Sequence, residues 1–339
     1  MIQGLPPHSK AVRSKQMATN SSETLACLII DDPLLQPQYG FVDYRALLSE
    51  MREHDFFTEI AFIPYNWRKS DPETVRLFQE NPDRLAICVH GCNHRHNEFS
   101  TGTFEELTEL AATSLRRMEL HKQLTGLDYD PVMVFPHGHF NKAAIGALKA
   151  NGYLAAFNSS LRPRDGQDPP AADFRLPATR HFHQFPVFLR HYPKDREAFK
   201  RDFEAGRPLI VVQHHTDFRN GYGEFTDFVD WLNGLGKIRW TRLSEIAERY
   251  APETVAEMNE RRQVVLSTPA EQKSDWGVSI RRAVSEFRDN YVCRYGISDL
   301  GLVRSIRATF GKRPAKSSTE APLLGTETPP GMISPEPEK

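Results

Sequence analysis

The sequence predicts an α/β fold built on a parallel sheet, open or closed into a barrel, and three observations carry that reading. Short, nearly unbroken apolar runs recur at residues 26–30, 85–89, 132–135 and 209–213, as strands buried on both faces require. Stretches with helical spacing separate them, the alternation that places helices outside a parallel sheet. Each run also ends in ionisable or turn residues: Asp31-Asp32-Pro33, His90-Gly91-Cys92-Asn93-His94, Phe135-Pro136-His137-Gly138 and Gln213-His214-His215. In α/β sheets, chemistry collects at these carboxyl ends of strands.

The elements follow in order. After the first strand, 44–54 reads as a helix with Leu47, Leu48 and Met51 on one face. A second strand is expected over 58–64. Ser70-Asp71-Pro72-Glu73 then supplies a cap, a proline and an acid for the next helix. The third strand, 85–89, is followed by a long helix over 104–124, opened by Thr103 and carrying Leu107, Leu110, Ala111, Leu115 and Met118 on one face. The strand at 132–135 precedes a helix over 142–150, closed by Asn151-Gly152, and a strand over 154–157. Residues 162–172, with Pro163, Gly166, Pro169 and Pro170, read as a surface loop. A strand over 181–189, a helix over 195–203, the strand at 209–213, a helix over 224–235 and one over 244–250 complete the pattern, with Pro252 expected to end it.

Of the 339 residues, 23–250 are therefore assigned to one catalytic domain. Residues 1–22 are a polar arm, 251–313 a helical extension, and 314–339, rich in Pro, Ser, Thr and Glu, a disordered tail. Leu300, Val303, Ile306 and Phe310 form a stripe beside Arg304, Arg307, Lys312 and Arg313, which would permit weak contact with an anionic membrane surface. The 43 Lys and Arg nearly balance the 44 Asp and Glu, so nothing in the charge advertises a nucleic-acid partner. The arm has no apolar core of a signal peptide, and no run reaches the roughly 18–20 apolar residues of a membrane span. With Cys27, Cys88, Cys92 and Cys293 forming no disulfide framework, a cytoplasmic setting is expected.

His90 and His94 are four residues apart, so one turn of chain can bring both rings to one ion. Asp31 and Asp32 are adjacent and point in opposite directions unless the backbone turns sharply. Asp32 with His90 and His94 would form a metal site with open positions for water and substrate, leaving Asp31 to take a proton from that water. Of His214 and His215, alternation sends one ring into the site, where imidazole suits a general acid; which one stays open. The turn Pro136-His137-Gly138 offers backbone N–H groups to a substrate oxygen, with Gly138 permitting close approach.

Asp31-Asp32, His90-x-x-x-His94, Phe-Pro-x-Gly at 135–138 and a late apolar strand ending in His214, in that order, resemble the polysaccharide deacetylases of the NodB-homology type. The resemblance implies a distorted (β/α) barrel of about seven parallel strands, a divalent metal that is usually zinc, and hydrolysis of N-acetyl groups on amino sugars. It makes Asp31 the general base, Asp32, His90 and His94 the metal ligands, the backbone N–H of His137 the group that polarises the acetyl carbonyl, and His214 the late acid. Four features depart from the pattern, one of them the absence of a copy of the family's aromatic-acidic fourth motif. Gly91 stands where a hydroxyl residue is common, and Ile30 where an aromatic or small hydroxyl residue precedes the Asp pair. The third motif lacks its Arg, a role open to Arg95, Arg175 or Arg190.

The expected activity is thus metal-dependent deacetylation of a carbohydrate substrate. A catalytically silent saccharide-binding protein that keeps the barrel is the competing reading. Two histidines and one carboxylate would also suit a non-haem iron oxygenase, but that leaves the second Asp without a role.

Overall fold

The computed structural model describes residues 23–166, 179–182 and 185–267. The polar arm over 1–22, the basic apolar stripe and the tail beyond residue 313 lie outside them, as does Cys293. In chain order the elements are β1 (Thr24–Asp31), β2 (Gln38–Tyr39), β3 (Val42–Asp43), α1 (Tyr44–His54), β4 (Thr58–Phe62), α2 (Pro72–Glu80), β5 (Leu85–His90) and α3 (Phe104–Thr125). They continue as β6 (Asp130–Val134), α4 (Lys142–Ala150), β7 (Ala156–Asn158), β8 (Thr179–Phe182), β9 (Phe185–Leu189), α5 (Arg196–Glu204), β10 (Leu209–His214), α6 (Gly223–Asn233), β11 (Ile238–Trp240), α7 (Leu243–Tyr250) and α8 (Pro252–Ser267).

Seven parallel strands lie side by side in the order β10-β1-β4-β5-β6-β7-β9, with β8 antiparallel on β9 and β11 beside the start of β1. The two ends of the row meet. His191, just past β9, pairs with Val211 of β10, donating its N–H to Ile210 O and accepting from Val212 N. The sheet is a distorted barrel, as the α/β alternation and the family resemblance lead one to expect.

The period of two along each strand divides the core. Ala26, Leu28 and Ile30 of β1 face the outer layer with Leu47 and Met51 of α1 and Leu115 and Met118 of α3. Leu25, Cys27 and Ile29 share the other cluster with Cys88, Val132, Val134, Phe188 and Ile210, and with Leu243 and Ile246 of α7. The same alternation carried one step further places Asp31, His90, Arg190 and His214 at the top of this interior column. At its foot, Glu59 and Asp130 accept the N–H groups of Leu243 and Ser244, so two buried carboxylates hold the first turn of α7.

Local chemistry sets the helix starts. Asp43, Asp71 and Asn141 accept the first free N–H groups of α1, α2 and α4, and Thr103 with Glu106 forms a capping box on α3. Two expectations change. The strand expected over 181–189 is two strands, β8 and β9, paired antiparallel, because the chain reverses between Phe182 and Phe185. Pro252 does not end the helical pattern; it opens α8, whose first turn has no need of its missing N–H. Met258 of α8 is fully buried, and a Cβ on Gly152 would lie 2.2 Å from Met258 O. The packed body therefore runs past the boundary expected at residue 250. No described helix is long and apolar enough to cross a membrane.

Candidate metal and active site

The turn after β1 separates the two aspartates. Asp32 has φ of 83°, a left-handed conformation that costs a non-glycine residue of order 1–3 kcal/mol. This sharp turn swings its carboxylate towards β5. Nε2 of His90 lies 3.2 Å and Nε2 of His94 2.9 Å from Asp32 Oδ1, and Nε2 of His214 2.8 Å from Oδ2. Asp31 goes elsewhere. Both its oxygens accept from the Arg190 guanidinium, at 2.6 and 2.8 Å, in a bidentate pair.

Donor chemistry at the first cluster fits a cation. His90 Nδ1 faces Val134 O at 2.9 Å, and because a carbonyl only accepts, Nδ1 carries the hydrogen. Nε2 of the neutral ring then presents a lone pair towards Asp32, the arrangement that orients metal-binding histidines. Asp32 Oδ1 is buried and receives no hydrogen bond. The ligand atoms of Asp32, His90 and His94 lie within 4.8 Å of one another. Converging acceptors with an orphaned carboxylate oxygen suit a divalent metal, and nitrogen and oxygen ligands of this kind suit zinc.

The field of the site points the same way. Burial pushes the Asp32 carboxyl up, yet the His94 charge and the facing imidazoles of His214 and His90 outweigh it and hold Asp32 well below its ordinary value. Burial pushes His90 down, but the facing Asp32 carboxylate and the charge of Asp31 raise it.

A residue that sequence reasoning passed over builds the histidine loop. The Glu98 carboxylate accepts the backbone N–H groups of Cys92, Asn93 and His94 at 2.9, 2.7 and 3.2 Å. Gly91 is required there, since it has φ of 63° and a Cβ on it would lie 2.3 Å from Pro136 and 2.6 Å from Glu98. The glycine in place of the expected hydroxyl residue thus belongs with the carboxylate cradle. From α3, Arg117 donates to Asn93 Oδ1 at 2.7 Å and to Cys92 O at 3.3 Å. Cys92 itself is fully buried beside Arg117, and burial pushes its thiol up to about 12.

The remaining candidates divide. His214 faces Asp32, its Nδ1 capping the following turn at Thr216 and Nε2 therefore carrying the hydrogen. His215 is fully buried, edge-on to Tyr39 with ring centroids 5.1 Å apart, and its ring lies 4.2 Å from that of His214. His137 has φ of 57° and its ring lies tilted against that of His94, with centroids 4.7 Å apart. Pro136 is buried against Gly91, and Gly138 accepts from the amide of Asn158 at 3.0 Å. Of the three arginines considered for the one missing from the third motif, Arg175 lies outside the described residues, and Arg190, just past β9, grips Asp31. Its distance in sequence, 159 residues from Asp31, hid the pairing.

No protein-family model matches the chain, and no curated protein matches it in sequence. Solved structures of similar topology include a Mycobacterium smegmatis protein that carries the name polysaccharide deacetylase, at 15% identity and a TM-score of 0.45, covering 75% of this chain and 95% of that one. A family 4 acetyl xylan esterase from Clostridium thermocellum, in complex with a cobalt ion, has 12% identity and a TM-score of 0.40, over 66% of this chain and 90% of its own. A CE4 esterase from Streptococcus mutans has 16% identity and a TM-score of 0.39, over 65% and 85%.

Proposed function

We propose that this chain is a metal-dependent hydrolase of the NodB-homology type that removes N-acetyl groups from amino sugars. The observation that carries the reading is the division of the adjacent aspartates. Asp32 joins two histidines in a donor set suited to a metal, while Asp31 is held separately by a buried guanidinium. A saccharide-binding protein has no use for the second carboxylate.

Asp32, His90 and His94 would hold a divalent metal of the zinc type, which would supply a Lewis acid to polarise the acyl carbonyl and acidify water. The residues of the chain do the rest. Asp31 takes the proton of the attacking water as the new C–O bond forms. Arg190 keeps Asp31 oriented, and the two carboxylate oxygens retain further lone pairs for that proton. The backbone N–H of His137 stabilises charge on the acyl oxygen. As the C–N bond breaks, the leaving nitrogen takes a proton from Nε2 of the protonated His214 ring, the proton that Asp31 took from the water returns to solvent and restores that ring, and acetate and the amine depart. His214 is chosen over His215 because it faces Asp32. The buried free thiols of Cys27, Cys88 and Cys92 accord with a reducing, cytoplasmic compartment.

The test couples metal content to acetate release from monomeric and polymeric N-acetylated sugars. Asp31→Asn should keep the metal while turnover falls by roughly 10²–10⁴, the usual worth of a positioned base. Full metal occupancy with no acetate from any sugar would turn the assignment to the binding protein. Loss of metal in Asp31→Asn would exchange the roles of the two aspartates.

A further inference from the structure

A cleft of about 430 Å³ opens beside the candidate active site, at the turn that carries His137. This is within the roughly 300–1,000 Å³ usual for small-molecule sites. Imidazoles lead into it from the metal ligands. The His94 and His137 rings are 4.7 Å apart, His96 lies 5.2 Å from His137 and 5.5 Å from His139, and His139 contacts the guanidinium of Arg164. Arg162, Arg164 and Ser160 line the far wall.

The cleft is cationic by construction. None of the described residues lining it is acidic, and among the described residues neither Arg162 nor Arg164 has a carboxylate partner. Asp165, the residue after Arg164, accepts the N–H of Lys142 at the start of α4. His139 Nδ1 faces Asn97 Oδ1 at 3.2 Å, and with Nδ1 donating, Nε2 accepts from Arg164 and steers that guanidinium. Burial and the Arg164 charge both hold His139 below its ordinary value, consistent with this neutral acceptor. The walls are tied together: Asn158 donates to Gly138 O at 3.0 Å and to Ser160 O at 2.8 Å, and Arg164 N donates to Phe140 O at 2.7 Å.

We infer that this cleft binds an anionic substituent of the substrate, a phosphate or a carboxylate carried by the acylated amino sugar, through Arg162 and Arg164. Guanidinium forks match both anions, and the row of imidazoles places the charged group beyond the bond to be cut. The inference rests on the deacetylase reading of the neighbouring site for its substrate class, but its test does not need turnover.

Binding of glucosamine, glucosamine 6-phosphate and 2-amino-2-deoxyglucuronate to the full zinc-loaded chain is measured by calorimetry. These amines already lack the acetyl group. At least one anionic sugar should bind tenfold or more tighter than glucosamine, roughly the worth of one charge-assisted contact. Which of the two it is identifies the anion. Arg164→Gln and Arg162→Gln should each reduce that preference, as should added salt. Equal affinity for neutral and anionic sugars, binding of none of them, or a preference untouched by both substitutions would overturn the inference. An intact preference with no acetate released from any N-acetylated sugar would instead remove the deacetylase reading and leave the anion site standing.

Discussion

Replacing Glu98 should loosen the metal site without touching a ligand. One carboxylate accepts three consecutive backbone N–H groups in the loop from His90 to His94. Each hydrogen bond to a charged acceptor has a net worth of about 1.5–3 kcal/mol, but the loop is partly exposed and water would replace some of them. These bonds also hold His94 at φ of 54°, a conformation that costs of order 1–3 kcal/mol. A loss of about 3 kcal/mol of loop order is expected in Glu98→Ala, which would lower metal affinity by roughly 100-fold. That is the upper end of the range for groups that orient metal ligands. Glu98→Gln keeps one acceptor oxygen but turns an amide N–H₂ on the remaining donors, so a fall of roughly tenfold is expected. Competition with a chromophoric chelator measures the affinity, and hydrogen exchange of the Cys92, Asn93 and His94 amides in metal-free protein measures the loop directly. Wild-type affinity together with wild-type amide protection in Glu98→Ala would refute the argument.

Other expectations follow from the same geometry. Asp32→Ala, His90→Ala and His94→Ala should each lose the metal by elemental analysis, since two protein ligands compete poorly with water; full occupancy in any one removes that residue from the site. Burial lowers His121 to about 4, against about 6.5 in the unfolded chain. The unfolded state therefore binds the proton first as pH falls, and stability is lost between about pH 6.5 and 4, by about 2 kcal/mol at pH 5. His121→Gln, which keeps a partner for Ser70, should flatten this dependence in urea titrations at pH 7 and 5, and identical slopes would exclude it. Truncation after Glu260 should lower the urea midpoint, because it removes Arg262 and its 2.8 Å bond to Gly152 O and leaves Met258 near a frayed end. An unchanged midpoint would make α8 an appendage.

Much of the architecture was legible because it is periodic. Apolar runs, caps and strand-end polar residues each repeat a local rule, so β1, β4, β5, β6, β10, α1 and α4 stand where spacing puts them. The clustering of Asp32, His90 and His94 was legible because each stands at or just past the carboxyl end of an apolar run, where the strands of a parallel sheet converge. What sequence could not reveal depends on backbone turns or distant pairing. The sharp turn at Asp32, the cradle at Glu98 and the His214 orientation arise from φ values and strand register that no single residue advertises. The reversal between β8 and β9 was missed because only His183 and Gln184 separate the two strands, and neither is a glycine or proline that would announce a turn. Pro252 misled because proline both ends helices and begins them.

The closure of the barrel links folding to catalysis. β9 and β10 meet through one residue, His191, which is steadied by Asp202 at 2.9 Å. Arg190, the residue before it, reaches across β10 to grip Asp31 on β1. The candidate base is therefore oriented by a clasp on the narrowest join of the wall. A fluctuation that parted this seam would free Asp31 while the other strands stayed paired, a disarmed state expected to lie nearer in energy than the unfolded one. Catalytic competence should then decay at lower denaturant than the loss of secondary structure, and the gap between the two curves gauges the strength of one strand-to-strand bridge.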